Sequence, residues 1–261
     1  MSEKALIERM LKQLTHSEDQ LNGPFECDAE LIRQGDRVLG ISIDEFSPEE
    51  DMFTLDEPVR LGSNLVAATI SDLWAAGVEP AYFIHSVCLS NTENEPFIDE
   101  FMAGVNSALQ RVGAFLIGGD TGRSQTFRYT GVAFGNVPSG SKPLTRIVPV
   151  ESQRLWVTGS LGDMNMAALN RQAMPDIEIR QAEAQLIREH GTSCIDTSGG
   201  FIDSLWTLSE LNPSLRFRVA ADRLPVSSRV LQFCAVAGVP VAASLLGGAG
   251  EYELLFTTPA E

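Results

Sequence analysis

The stretch ATISDLWAAG (residues 68–77) places one acidic residue, Asp72, inside an apolar helical pattern. Small and apolar residues recur at helical spacing from Gly62 to Ala76, and Gly77 follows where a helix would end. Asp72 has no basic residue one turn later, because Ala76 occupies that position. A carboxylate on a buried helix face needs a metal ion or a hydrogen-bond donor. The alternative is that Asp72 lies on an exposed face of the helix.

Four further aspartates stand at the edges of apolar or glycine-rich segments. The segments CDAELI (27–32), GISIDEF (40–46), LIGGDTGRS (116–124) and SCIDTSGG (193–200) contain Asp28, Asp44, Asp120 and Asp196. Several such carboxylates without a matching set of lysines or arginines indicate a shared divalent cation. Mg2+ prefers oxygen ligands and works with substrate phosphates, which points to nucleotide phosphate chemistry. The competing interpretation is that each aspartate caps a helix or turns a loop.

The composition is that of an acidic globular chain. The 261 residues include 19 Lys and Arg against 35 Asp and Glu, which gives a formal net charge of −16. This charge repels nucleic acids and anionic membranes, so neither is expected as a partner. The four cysteines form no CxxC pair and show no zinc-ligand spacing, which fits a reducing cytoplasm. The N-terminal segment is amphipathic and lacks the apolar core of a signal peptide.

Strand and helix patterns alternate along the whole chain and predict an α/β protein with mixed sheets. Strands are predicted at 37–43, 82–90, 114–120, 127–137, 154–163, 215–225 and 252–258. Helices are predicted at 4–14, 62–76, 97–111, 177–190 and 226–238, and 194–211 is expected to hold a strand end, a turn and a helix. The segment 45–59 is expected to be an acidic loop. Because 138–143 is rich in Pro, Gly and Ser, we expect domains at 1–140 and 141–261.

Three short motifs suggest where a ligand would bind. GGDT (118–121) is expected to form a tight turn that projects Asp120 beyond the end of a strand. IDTSGG (195–200) places Asp196 and Ser198 two residues apart, so that both side chains share a face if the strand continues; either residue could instead be a helix N-cap. GGAGEYELLF (247–256) is a glycine-rich turn with Glu251 at its mouth.

No histidine-based catalytic motif is present. The sequence contains no GxSxG, HExxH or Cys–His signature, which removes support for serine hydrolase and zinc protease activity. His85 lies within a predicted strand and is expected to be a satisfied core residue rather than a base. A site rich in aspartate and poor in histidine fits phosphoryl transfer to an anionic acceptor, which requires positioning and charge neutralisation rather than a strong base.

Taken in order, these segments resemble the thiamine-monophosphate kinase family, which is related to aminoimidazole ribonucleotide synthetase. The resemblance runs from about Leu6 to Pro259, and its most specific matches are SDLWAAGVEP (71–80), IGGDTGRS (117–124), VPSGSKPLTR (137–146) and GEYELLFTTP (250–259). It implies an N-terminal ATP- and Mg2+-binding domain that forms a homodimer through its sheet, and a C-terminal α/β domain that closes over the nucleotide. It also implies transfer of a phosphoryl group from ATP to thiamine phosphate, which yields thiamine diphosphate and ADP.

The resemblance assigns a role to each matching residue. The implied metal ligands are Asp28, Ser42, Asp44, Asp72, Asp120 and Asp196, and the catalytic residues among them are Asp44, Asp120 and Asp196. The implied nucleotide contacts are Gly118, Gly119, Thr121, Arg146 and Ser198, and the implied substrate contacts are Glu251 and Tyr252.

The chain departs from the family pattern at several acidic positions. Cys27 stands where the family has the first Asp of its GDD motif, Gly199 replaces the second Asp of IDISDG, and GGAGEYEL stands for GGEDYEL. The C-terminal domain is also shorter than is usual for the family. Two alternatives therefore stay open, namely a related ATP-using enzyme with another small-molecule acceptor and a non-catalytic nucleotide-binding relative.

Overall fold

The fold is a mixed α/β arrangement of seven helices and eight strands among residues 3–48, 54–149 and 152–260, which the computed structural model describes. The helices are α1 (Glu3–Leu11), α2 (Pro58–Ala75), α3 (Glu95–Val112), α4 (Asp163–Leu169), α5 (Gln181–His190), α6 (Phe201–Leu211) and α7 (Ser228–Ala237). The strands are β1 (Glu30–Gln34), β2 (Arg37–Phe46), β3 (Glu79–Leu89), β4 (Phe115–Arg123), β5 (Arg128–Asn136), β6 (Gln153–Val157), β7 (Ser193–Asp196) and β8 (Leu254–Pro259).

The first sheet has five strands in the order β1-β2-β5-β3-β4, with β1 and β4 at its edges. β3 and β4 run parallel, and the remaining neighbours pair antiparallel. One face of this sheet is core, because α2 packs against β2, β3 and β5. The opposite face, called here the outer face, exposes large apolar side chains: Ile43 is 67% exposed, Tyr82 45%, Phe115 67% and Ile117 57%.

Helix α2 is the central element of the molecule. It begins at Pro58, whose fixed φ suits the first helical position, and thirteen of its eighteen residues are buried. A helix that is buried on nearly all sides must be packed from several directions. The first sheet covers one side, α3 covers another, and β7 of the second sheet contacts a third.

The contact between α2 and α3 depends on two glycines. A Cβ atom on Gly62 would lie 2.2 Å from the carbonyl oxygen of Phe101, and one on Gly104 would lie 2.0 Å from that of Val59. Both distances are far below van der Waals contact, so the two backbones approach more closely than any side chain would allow. This close approach brings α3 against the N-terminal half of α2.

The second sheet has three antiparallel strands in the order β6-β8-β7. Its core contains Leu161, Ile195, Phe201, Leu208 and Leu255, which are all buried. The amide of Cys194 donates to the carbonyl oxygen of Thr145 at 3.0 Å, which ties β7 to the chain segment that leaves the first sheet. β7 thereby ends next to Ser71 and Asp72, close to the C-terminal end of α2.

Most of the predicted helices and strands are confirmed, and the exceptions have physical causes. The predicted strand at 215–225 is wrong, because this segment has no neighbouring strand among the described residues and holds only a short 3-10 turn at Ala221–Arg223. β1 and α4 were not predicted. The expected loop at 45–59 overlaps the end of β2 and the start of α2, and its residues 49–53 lie outside the described residues.

The predicted glycine turn at GGDT (118–121) is also wrong. β4 continues through it, with Gly118 to Arg123 paired in parallel with Ile84 to Leu89 of β3. A Cβ atom on Gly119 would lie 2.4 Å from the carbonyl oxygen of His85, so this glycine permits close strand pairing.

Within the ranges given above, none of the helices combines the length and the apolar character that crossing a membrane would require.

Replacing Gly104 with alanine tests the close helix contact. The new methyl group would meet the backbone of Val59, and we expect this overpacking to lower the free energy of unfolding by about 1–3 kcal/mol. The loss is expected even though alanine has a higher helix propensity than glycine. Urea unfolding measures the change. The matched control is Asn106→Ala, an exposed position on the same helix, which should stay within about 0.5 kcal/mol of the wild type. A Gly104→Ala protein as stable as the wild type would contradict the close packing.

Candidate functional site

Three predicted aspartates from distant parts of the chain meet at one point. Carboxylate oxygens of Asp28, Asp72 and Asp196 all lie within 4.8 Å of one another, and we call these three residues the carboxylate cluster. Asp28 precedes β1, Asp72 belongs to α2, and Asp196 is the last residue of β7. The cluster therefore forms only when β7 of the second sheet is packed against α2.

Asp28 is neutralised in part by Arg146. The guanidinium of Arg146 donates from Nη2 to Oδ1 of Asp28 at 2.8 Å and from Nε to Oδ2 at 3.3 Å. It also donates to the carbonyl oxygen of Phe25 at 3.2 Å. The side chain of Asp28 is only 1% exposed, and burial raises its pKa to about 6 although Arg146 opposes that shift. The predicted nucleotide contact Arg146 is thus engaged with the cluster itself.

Asp196 is held by hydroxyl groups. Its Oδ2 accepts from Oγ of Ser71 at 2.7 Å, and its Oδ1 accepts from Oγ of Ser198 at 2.7 Å and from the amide of Ser198 at 3.1 Å. Ser198, predicted to bind the nucleotide, therefore orients a cluster carboxylate. Sequence reasoning missed the role of Ser71, and the only signal for it was its position directly before Asp72.

Asp72 is buried among other carboxylates. Burial raises its pKa well above the usual range, and the nearby carboxylates of Asp44, Asp196 and Asp28 raise it further, while Arg146 lowers it. Four carboxylates thus face one guanidinium. Such an excess of buried negative charge favours a bound cation.

The cluster fits Mg2+ by its chemistry and its spacing. All its donor atoms are carboxylate oxygens, which Mg2+ prefers. Mg2+ binds oxygen at about 2.1 Å, so opposite ligands lie about 4.2 Å apart. The oxygen separations of up to 4.8 Å need only small side-chain adjustments to reach that geometry.

Ser42 and Asp44 lie beside the cluster on β2. They are two residues apart and share the face of the strand that meets α2. Oγ of Ser42 donates its proton to the carbonyl oxygen of Thr69, in the backbone of α2, at 2.7 Å. Asp44 is near enough to raise the pKa of Asp72, which places it at the edge of the same negative site.

The glycine-rich motif of β4 does not join the cluster within one chain. Asp44, Gly131 and His85 are paired in a row across β2, β5 and β3, and Gly119 of β4 continues that row. Asp120 is the next residue after Gly119 and pairs with Ser86. Because successive side chains alternate between faces, Asp120 points to the outer face of the sheet. Three strand spacings, about 14 Å, also separate β4 from β2. Gly118 and Thr121 lie on the same edge strand.

His85 lies on the core face of the first sheet and is half-buried. Its ring meets that of Tyr129 edge-on at 5.6 Å, and burial lowers its pKa. The prediction that its hydrogen bonds are satisfied is wrong at Nδ1, which is buried without a partner in the described part of the chain. Burial favours the neutral imidazole, which cannot balance the carboxylates.

The two predicted substrate contacts lie in the second half of the chain. Glu251 is buried and accepts from the amide of Gly162 at 2.7 Å and from that of Met164 at 3.3 Å, so it caps the start of α4. Burial raises its pKa to about 7, although both amide hydrogen bonds oppose the shift. The neighbouring Tyr252 is half-buried and has a left-handed backbone with φ of 54°.

A buried ion pair next to Glu251 was missed by sequence reasoning. Glu253 accepts from Nε of Arg180 at 2.7 Å and from its Nη2 at 2.5 Å, and Oγ1 of Thr158 also donates to it. This network joins the start of β8 to α5 and to the end of β6. The only sequence signal was an acidic residue at the start of the apolar strand YELLFTT.

The shifted pKa of Glu251 predicts a pH dependence of stability. Between its ordinary value of 4.5 and its folded value of about 7, the unfolded carboxyl ionises first. The unfolded state then binds fewer protons, so the free energy of unfolding falls as pH rises through this window, by about 3 kcal/mol in total. Glu251→Gln should remove this part of the slope.

Urea unfolding at pH 5 and pH 8 measures that difference. The matched control is Glu100→Gln, an exposed glutamate on α3, which should keep the wild-type slope. A Glu251→Gln protein with the same slope as the wild type would show that the carboxyl is ionised normally in the fold.

Known proteins resemble this chain in sequence and in fold. Residues 27–137 match the family model described as AIR synthase related protein, N-terminal domain. The thiamine-monophosphate kinase of Archaeoglobus fulgidus is 24% identical, over 98% of this chain and 86% of the relative. The thiamine-monophosphate kinase of Salmonella typhimurium is 26% identical, over 98% of this chain and 82% of the relative.

A solved structure described as AaThiL complexed with AMPPCP and TMP superimposes with a TM-score of 0.85. That match covers 98% of this chain and 85% of the other, at 20% sequence identity, so it shows the fold. Residues 27–137 are therefore similar to an AIR synthase-related N-terminal domain, and the chain as a whole is similar in sequence to thiamine-monophosphate kinases.

Proposed function

We propose that this chain is an ATP- and Mg2+-dependent kinase that transfers the γ-phosphoryl group of ATP to thiamine monophosphate. The products are thiamine diphosphate and ADP. The observation that carries the proposal is the carboxylate cluster, in which Asp28, Asp72 and Asp196 present oxygen ligands within 4.8 Å of one another. The name of the relatives supplies the acceptor, and the complex of a similar structure with AMPPCP and TMP supports a nucleoside triphosphate as donor.

Each residue near the cluster has a defined task in this proposal. Asp28, Asp72 and Asp196 hold Mg2+, with Asp44 beside them, and Ser71 and Ser198 keep Asp196 in position. When bound, Mg2+ neutralises phosphate oxygens and stabilises the charge that develops during transfer. Arg146 holds Asp28 in the cluster and presents a positive charge beside it.

The reaction needs no strong general base. The acceptor is a phosphate oxygen, which is already anionic, so the protein has to position it and to neutralise charge. Without a cation, a triphosphate beside these carboxylates would meet repulsion of about 4 kcal/mol for each charge pair at ~4 Å. Nucleotide binding should therefore require Mg2+.

The architecture suggests how the chain assembles. We assign residues 1–140 to the ATP- and Mg2+-binding domain, which also dimerises, and residues 141–261 to the domain that closes over the nucleotide. The exposed apolar outer face of the first sheet supports a homodimer, because patches of this kind mark interaction sites. Asp120 points to that face, so a second copy would cover it.

The four free cysteines fit a reducing compartment, which we take to be the cytoplasm.

Turnover of ATP with thiamine monophosphate tests the activity. The wild type should form ADP and thiamine diphosphate, whereas Asp72→Asn and Asp196→Asn should each lower turnover by at least about a hundredfold, because asparagine keeps the shape and loses the charge that holds Mg2+. The matched control is Asp99→Asn, an exposed acid on α3, which should keep wild-type turnover. Calorimetry with a non-hydrolysable ATP analogue, with Mg2+ and with EDTA, measures binding separately.

Two outcomes would contradict parts of this proposal. Equal affinity for the analogue in Mg2+ and in EDTA would show that nucleotide binding does not require a metal ion. Tight binding of the Mg2+ complex without turnover of thiamine monophosphate would indicate either a non-catalytic nucleotide-binding protein or an enzyme with another acceptor. A screen of small-molecule acceptors would distinguish these two alternatives.

Introducing a charge on the outer face tests the homodimer. Phe115→Glu places a carboxylate at a side chain that is 67% exposed, and it should convert a dimer into a monomer in light scattering. The matched control is Val236→Glu on α7, which is 84% exposed and lies away from this sheet, and should leave the mass unchanged. A wild type that is monomeric at micromolar concentration would contradict the assembly.

A further inference from the structure

The buried ion pair between Arg180 and Glu253 lies beside the strand end that carries Asp196, because Asp196 pairs with the next residue of β8. Glu253 is only 5% exposed, and Nε and Nη2 of Arg180 donate to its two carboxylate oxygens at 2.7 and 2.5 Å. Desolvating two charges is costly, and apolar side chains in place of a buried pair often leave a protein equally stable. Stability alone is therefore a weak reason for this pair.

The backbone around the ion pair has the shape that admits it. Gly159, in the turn after β6, has a left-handed backbone with φ of 54°. A Cβ atom at this position would lie 2.0 Å from Oε1 of Glu253 and 2.2 Å from Nη2 of Arg180. A side chain here would therefore collide with both partners, so the turn and the ion pair require each other.

The backbone of Glu253 holds the residue that follows Asp196. The amide of Glu253 donates to Oγ1 of Thr197 at 2.9 Å, and the amide of Thr197 donates to the carbonyl oxygen of Glu253 at 2.9 Å. The amide of Glu251 donates to the carbonyl oxygen of Thr197 at 3.1 Å. Thr197 is completely buried, so these bonds fix its position. They also restrict Asp196, which directly precedes it.

Arg180 is itself anchored to α2. The segment that connects α4 to α5 ends at Arg180 and contacts α2 at Asn64, which is 2% exposed. Nδ2 of Asn64 donates to the carbonyl oxygen of Pro175 at 2.9 Å, and Oδ1 of Asn64 accepts from the amide of Ile177 at 3.0 Å. Because α2 also carries Asp72, the ion pair and the carboxylate cluster are attached to the same helix.

These contacts form a closed ring through the carboxylate cluster. From α2 the ring passes along the connecting segment to Arg180 and then to Glu253. From Glu253 it passes through Thr197 to Asp196, which returns to α2 by its hydrogen bond with Ser71. A buried polar network whose members are satisfied rigidifies the groups that it joins. The ring therefore limits how far the carboxylate of Asp196 can move relative to the other two.

The rigidity of a carboxylate site affects which divalent cation it prefers. Mg2+ requires near-ideal octahedral geometry with oxygens at about 2.1 Å. Ca2+ accepts a flexible arrangement of about six to eight oxygens at about 2.3–2.6 Å. When a carboxylate of the site gains freedom, we therefore expect the affinity for Mg2+ to fall more than the affinity for Ca2+.

We propose that Arg180 and Glu253 are positioning residues that make the carboxylate cluster selective for Mg2+ over Ca2+. Their ion pair acts through Thr197 on Asp196. The proposal rests on the Mg2+ site of the proposed function, but not on the identity of the phosphoryl acceptor. Residues that orient metal ligands from behind typically change metal affinity by about 10- to 100-fold when they are replaced.

Calorimetric titration of the metal-free protein with MgCl2 and, separately, with CaCl2 tests the proposal. Arg180→Met keeps much of the apolar stem and removes the charge and the donors. We expect it to weaken Mg2+ binding by at least about tenfold and Ca2+ binding by less than about threefold. The ratio of the two affinities is the readout, because a general loss of stability would weaken the binding of both ions alike.

The matched control is Arg188→Met. Arg188 also lies on α5, its side chain is 10% exposed, and it pairs with Glu79 of β3 at 3.7 Å instead of with β8. This variant should keep the wild-type ratio of Mg2+ to Ca2+ affinity. Urea unfolding of both variants measures how much stability each arginine contributes, so that a change in the ratio can be compared at a known loss of stability.

Two further variants test the path from the ion pair to Asp196. Arg180→Met combined with Glu253→Gln should lose no more Mg2+ selectivity than Arg180→Met alone, because both changes break one contact. Thr197→Val removes the hydroxyl that accepts from the amide of Glu253 and should lower the ratio in the same direction. It keeps the ion pair, so it tests the proposal even if Arg180→Met does not fold.

The outcomes separate this proposal from the proposed kinase activity. A wild-type affinity ratio in Arg180→Met and Thr197→Val, an equal fall for both ions, or additive losses in the double variant would overturn the positioning role. A wild type that shows the expected metal selectivity but does not turn over thiamine monophosphate would contradict the kinase and support this proposal. A wild type that binds neither ion would contradict the metal site and the positioning role together.

Discussion

The buried ion pair between Asp28 and Arg146 is the interaction on which the arrangement of the molecule depends. Arg146 follows the segment that leaves the first sheet, and its guanidinium also holds the carbonyl of Phe25. Asp28 accepts in turn from the amide of Asp196 at 3.3 Å, so one carboxylate connects both sheets. A buried pair of this kind costs desolvation energy and is stable only when its remaining hydrogen bonds are satisfied. Here those bonds come from both halves of the chain, which couples the folding of each half to the shape of the site.

The carboxylate cluster is a source of instability that the fold accommodates. Helix α2 is buried between the first sheet, α3 and β7, and this burial is what raises the pKa of Asp72. The closeness of α3 in turn relies on Gly62 and Gly104. Residues arranged for function commonly reduce stability in this way. A cation at the cluster would bind the folded state and not the unfolded chain, and would therefore stabilise the protein by mass action.

The positions at which this chain departs from the acidic motifs of the family that it resembles make other interactions. Cys27 is buried against the carbonyl oxygen of Leu144 at 3.3 Å, and burial raises the pKa of its thiol to about 12, so it stays neutral beside Asp28. Gly199 lies against Asp203, whose carboxylate oxygen would be 2.6 Å from an added Cβ. Glu251 is occupied by the amides at the start of α4. The negative charge of this site is therefore concentrated at Asp28, Asp72 and Asp196, with Asp44 beside them.

The sequence by itself determined most helices and most strands, because apolar periodicity is a local property that survives in any tertiary context. It also identified Asp28, Asp72 and Asp196 as carboxylates that need a partner. It could not separate them from Asp120, which has the same local signature. Only the tertiary structure placed Asp120 on the outer face, since that depends on strand pairing with β3. Likewise the segment 215–225 has a strand pattern but forms no strand, because a strand requires a hydrogen-bonded neighbour that local sequence does not specify.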